Sequence, residues 1–120
     1  MAPPNFSNLA AKTHEIVQCN NSPKEISSPT TFYGAYIDNS ENSEVVWVSL
    51  LDDSSSPTVG TDEPDDCIPV RAGAKLPFVV NGGVGRTIAN NLYVWCTKTA
   101  GVAGTTSPAN AVKVTVYAAA

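Results

Sequence analysis

One histidine and three scattered cysteines are nearly all that this 120-residue chain offers for nucleophilic or metal chemistry. A hydrolytic triad would have to use His14 as its base, yet the chain has no Gly-x-Ser-x-Gly elbow and no Asp at a meaningful spacing. No Cys-x-x-Cys pair suggests zinc, and an odd number of widely spaced cysteines is a poor disulfide framework. Cys19, Cys67 and Cys96 sit in or beside apolar runs, which predicts three free thiols acting as small core hydrophobes. No apolar run approaches the ~20 residues of a membrane span, and the first residues lack the basic and apolar regions of a signal peptide. The expected setting is a reducing cytosol, with no membrane partner. Charge is scarce too: 15% of residues carry one, for a formal net charge of −4. An acidic surface repels a phosphate backbone, so nucleic acid is not an expected partner.

Helical periodicity is also missing. Short Val-rich runs alternate instead with Ser, Thr, Asn, nine prolines and eight glycines, the composition of an all-β protein with many turns. Residues 1–14 hold Pro3, Pro4 and Phe6 and keep no clean period; they read as an extended arm. Strand signals follow at Glu15–Cys19, Thr31–Ile37, Glu44–Leu51, Cys67–Arg71, Lys75–Val80, Asn91–Lys98 and Ala111–Tyr117, separated by turn chemistry. The prediction is one domain over 15–120, a seven-strand antiparallel β-sandwich, immunoglobulin-like or jelly-roll-like in order. Cys19, Trp47 and Cys96 do occur in the immunoglobulin order. Trp47 nevertheless lies much further from Cys19 than the expected dozen or so residues, and Tyr93 stands one place too early for a tyrosine corner.

Two stretches imitate binding loops. Gly82-Gly83-Val84-Gly85-Arg86-Thr87 resembles the end of a phosphate-binding loop, but Arg86 stands where Lys is required and Val80 where the first Gly belongs. A strand pattern, not a helix, follows it, so the helix N-terminus that would hold phosphate is not expected. Asp38 to Glu44 superficially suggests a calcium loop, yet Ser43 and Ser49 occupy the places of its Gly and Glu. A second acidic cluster, Asp62, Glu63, Asp65 and Asp66 with Asp52 and Asp53, reads as solvated loop in preference to a shallow cation site. Paired-carboxylate hydrolysis has its residue types here, but a sandwich this small has little material for a substrate cleft. No cofactor, no metal and no enzymatic activity are expected.

The alternation assigns faces. Val112, Val114 and Val116 share the buried side of the last strand, with Lys113 and Thr115 opposite. Val46, Val48 and Leu50 oppose Val45, Trp47 and Leu51; Leu92, Val94 and Cys96 oppose Tyr93 and Trp95. Two strands apolar on both faces call for a second cover, and a partner subunit in a dimer or trimer is the simplest one. Trp47, Tyr93 and Trp95 are therefore candidate interface residues. The same three rings, if clustered at the surface, would instead make a stacking platform for sugars.

Tyr33-Gly34-Ala35-Tyr36-Ile37-Asp38-Asn39, Ser49-Leu50-Leu51-Asp52, Pro57-Thr58-Val59-Gly60-Thr61, Ile68-Pro69-Val70-Arg71-Ala72-Gly73, the glycine turn Gly82–Gly85 and Val112–Tyr117 follow one another in a suggestive order. From Phe32 onward this order resembles small β-sandwich head proteins of tailed bacteriophages. The resemblance implies a non-enzymatic virion protein, a capsid cement or decoration protein made in the host cytoplasm and bound outside the head. Its partners would be the major capsid protein and its own copies. An arm bearing Pro3, Pro4 and Phe6 could grip the shell by adding a strand or lying in a groove. The alternative is a carbohydrate- or receptor-binding module of a virion fibre or tail.

Overall fold

The computed structural model describes residues 12–26 and 29–119, with side chains from Val17 onward. The protein is all-β: two antiparallel sheets pack face to face. The strands are β1 (Lys12–Cys19), β2 (Lys24–Glu25), β3 (Thr31–Asp38), β4 (Val46–Asp53), β5 (Asp66–Val70), β6 (Lys75–Val79), β7 (Arg86–Thr87), β8 (Asn91–Thr97) and β9 (Val112–Ala119). One sheet runs β1-β9-β3-β6, with β7 also on β3; the other runs β2-β8-β4-β5. The longer strands fall on the seven predicted runs. The described residues hold nine strands, not seven, because β2 and β7 are two-residue pairings too short to show alternation. A second correction concerns the N-terminus. Lys12, Thr13 and His14 pair with Ala119, Ala118 and Tyr117, so the ladder begins inside the segment predicted to be an arm. Residues 1–11, with Pro3, Pro4 and Phe6, lie outside the described residues.

With β7 set aside, the pairings are nested: β4 with β5, β3 with β6, β2 with β8 and β1 with β9. The chain is one long hairpin rolled up, and the β3–β9 and β4–β8 ladders join its layers sideways. The inner faces are those the alternation predicts. Val46, Val48 and Leu50 on β4, Leu92, Val94 and Cys96 on β8, and Val112, Val114 and Val116 on β9 are fully buried with Phe32, Ala35 and Ile37 on β3. Each large member contributes about 2 kcal/mol by leaving water.

Two local devices fix the ends. β3 carries a bulge between Phe32 and Gly34, and a Cβ on Gly34 would overlap the backbone carbonyl of Phe78 on β6. Only glycine lets the two strands approach there. After β3 the chain turns through a buried asparagine knot. The Asn39 side-chain amide donates to the carbonyls of Glu44 (3.1 Å), Val70 (3.2 Å) and Arg71 (3.0 Å), and its oxygen accepts from Asn42 Nδ2 at 2.9 Å. Asn42 in turn donates to the Asn110 carbonyl and accepts from the Asn110 amide. The knot ties the β3–β4 loop, the end of β5 and the approach to β9 into one rigid end.

Candidate functional site

The glycine loop is engaged with itself. Asn81–Gly83 form a single 3₁₀ turn. The amides of Gly83 and Gly85 both donate to the Val80 carbonyl (3.0 and 3.1 Å), and that of Val84 donates to the Asn81 carbonyl at 3.2 Å. Asn81 Nδ2 closes the loop on the Gly85 carbonyl. Gly82, Gly83 and Gly85 take positive φ, which explains their residue type without a ligand. Arg86 follows in β7, where its Nη1 lies 2.7 Å from Asp66 Oδ2 on β5 and its guanidinium sits 5.6 Å from the centre of the Phe32 ring. The arginine thus clamps the edge of one sheet to the other. The second guanidinium nitrogen, Arg86 Nη2, is buried without a hydrogen-bond partner among the described residues, so the pair is a single-point ion contact and not a bidentate fork. ATP with magnesium is expected to leave the melting temperature unchanged. A rise of several degrees that Arg86→Ala abolishes would contradict this reading.

The acidic clusters also turn inward. Both oxygens of Asp52 accept from backbone amides, those of Ala89 (2.8 Å) and Asn90 (2.9 Å). Asp65 Oδ2 accepts from the Asp52 amide at 3.0 Å, and Asp62 Oδ2 from the Thr58 amide at 2.7 Å. These carboxylates act as loop caps. Among the described residues no group of three or more His, Cys, Asp or Glu gathers to hold a metal ion.

The three predicted interface rings part company. Trp95 and Tyr93 are only 2% and 6% exposed, clustered with Leu51 on the outer face of the β8–β4 sheet and packed by Val59. The cover expected from a partner comes from the chain itself. Val59 belongs to the β4–β5 loop, and the β8–β9 loop is folded over the same sheet. The Gly101 amide reaches Cys67 Sγ at 3.4 Å, Asn21 donates to the Thr105 carbonyl, and Gly60 packs on Thr105. Trp47 remains half-buried, beside Val45, which is 43% exposed on the same face. The rings therefore do not form one stacking platform.

An aromatic concavity exists elsewhere. On the outer face of the other sheet, Tyr36 and Asp38 of β3 and Lys113, Thr115 and Tyr117 of β9 line a groove of about 220 Å³. Burial and the neighbouring Tyr36 push the Tyr117 phenol up. The Ser40 hydroxyl and amide hold Asp38 below the usual carboxylate range, with Lys75 and Lys113 acting in the same direction. The outward positions of both strands were readable from the alternation. Their adjacency was not, because it depends on the pairing of Tyr36 with Thr115 and Gly34 with Tyr117. A second hollow of about 340 Å³ lies along Pro69–Arg71 and Ala74–Leu76.

Comparison with known protein families, with characterised proteins and with solved structures finds no match to this chain.

Proposed function

We propose that the chain is a non-enzymatic structural protein of a virion, a cement or decoration subunit on the outside of a phage capsid, built as a jelly roll. The observation that carries the reading is the nested pairing of the eight principal strands. First with last, second with seventh, third with sixth and fourth with fifth is the order produced by rolling one long hairpin into two four-stranded sheets. An immunoglobulin-like order would instead place the last strand beside β8, in the sheet that holds β4. Jelly rolls recur in capsid and lectin domains, so the fold narrows the class without naming the partner.

Two further features suit attachment. β1 is an edge strand that pairs only with β9 among the described residues. Residues 1–11 lead straight into it and can extend that pairing onto the major capsid protein. Val45 and Trp47 add an apolar patch for contact with another copy or with the shell. The expected result is that the full chain saturates cement-free heads. Deleting residues 1–11 should lower occupancy and leave the unfolding transition in place. Trp47→Ala should weaken association by about 2 kcal/mol, roughly thirty-fold, with β-type circular dichroism unchanged. A strictly monomeric protein that ignores heads with or without residues 1–11 would sink the proposal.

The Tyr36–Tyr117 groove favours the second reading, a sugar-binding module. Two rings offer stacking faces, while Asp38, Lys113 and Thr115 supply hydrogen bonds to hydroxyls. Glycan binding lost in Tyr36→Ala, without head binding, would decide for it.

A further inference from the structure

Cys19 closes β1 at the corner where the chain crosses from one sheet to the other, and Cys96 stands on the inner face of β8. Both are fully buried, and both are free. The Cys96 amide donates to the Asn20 carbonyl at 2.7 Å, so the backbones there lie at ladder spacing. Asn20 is the residue after Cys19, so the backbone of Cys19 passes close to that of Cys96, and a disulfide needs about 4.4–6.8 Å between the two Cα atoms. Both side chains belong to the same buried core cluster. Cys67 stands apart on the opposite face of the β8–β4 sheet's edge strand, against Ser49 Oγ and the Gly101 amide.

We infer that Cys19 and Cys96 form a disulfide site, reduced when the chain is made and closed by a small-molecule disulfide such as oxidised glutathione to bolt the two sheets together. One protein thiolate attacks glutathione disulfide and releases one glutathione thiolate. The second protein thiolate then attacks the mixed disulfide and releases the other. Two electrons pass from the cysteine pair to glutathione, and the two thiol protons end on the released glutathione. The site does not depend on the virion reading, although a particle that leaves a reducing cell would meet the oxidant there.

Access controls the rate. Burial, reinforced by Cys96, pushes the Cys19 thiol well above its ordinary value, so little thiolate forms in the folded protein. Closure should be slow on the native reduced chain and fast during refolding. The test refolds the full chain, and its Cys67→Ala variant, in buffers of increasing glutathione disulfide, followed by peptide mass mapping and thermal melting. The expected product in both proteins is a Cys19–Cys96 crosslink, with Cys67 alkylatable in the parent chain. Because the bridge closes a loop spanning most of the sandwich, the melting temperature should rise by about 10 °C. Refolded soluble protein with both thiols unlinked at every ratio overturns the inference. So does a crosslink made through Cys67, or a Cys19–Cys96 bond that leaves melting unchanged.

Discussion

Gly34→Ala should be among the most damaging single-methyl additions to this protein. The new Cβ overlaps the Phe78 carbonyl, a backbone group of the paired strand that cannot rotate away. Relief requires β3 and β6 to part along the Gly34–Asp38 ladder, which would open the core beneath Ala35 and Ile37. The expected loss is about 3 kcal/mol or more, equivalent to roughly 10 °C or more in melting temperature. Gly82→Ala is the comparison. Its φ is +62° but its surroundings are open, so only the backbone preference of about 1–2 kcal/mol is lost. Chemical denaturation of both variants separates the two causes. A Gly34→Ala protein within 1 kcal/mol of the parent would show that the strand approach is not obligatory.

Asn39→Asp should be at least as costly, and in a pH-dependent way. The parent amide faces three carbonyl oxygens, and only an N–H group satisfies that arrangement. Aspartate would bring an oxygen there, in a residue with no exposed surface. Its folded-state pKa must therefore rise above the unfolded value of about 3.9. Below that value both states are protonated, and the loss is confined to the missing donors, about 1–3 kcal/mol for the carbonyls left unpaired. As the pH rises, the unfolded chain gives up its proton while the folded chain retains it. Stability then falls by about 1.4 kcal/mol per pH unit until the folded pKa is reached. At neutral pH the total loss should reach about 4 kcal/mol or more, a large part of what holds a small domain together. Melting at pH 4 and pH 7 tests the sign. A variant relatively as stable at pH 7 as at pH 4 would refute the account.

Much of the sandwich was legible because its physics is local. Val112, Val114 and Val116 announce a half-buried strand by alternation alone, and the structure buries all three. The glycine turn Gly82–Gly85 was likewise readable from residue type, and the structure gives Gly82, Gly83 and Gly85 positive φ; the Arg86–Asp66 pair beside it was not. What escaped was non-local. The apolar outer face bearing Trp95 looks, residue by residue, like an interface; its cover comes from loops rich in Gly, Thr and Ser whose sequence carries no periodic signal. Asn39 read as a turn residue because two of its three acceptors, the Val70 and Arg71 carbonyls, belong to a segment that only the fold brings beside it. Tyr36 and Tyr117 form a groove through a register that no single strand contains.

Nested pairing sets an order on synthesis. The β4–β5 hairpin can close soon after it is made, whereas β1 is made first and pairs, among the described residues, only with β9. Until β9 clears the ribosome, β1 trails with its hydrogen-bonding groups open and with Val17 and Cys19 out of the core, a condition that invites pairing between nascent chains. Closing the outermost ladder joins nearly opposite ends of the sandwich, which makes it the slow step in reaching the finished fold. Translation that stalls before Val112 would therefore leave the older part of the chain sticky instead of merely unfinished, and recovery of soluble protein should track the speed of that last stretch.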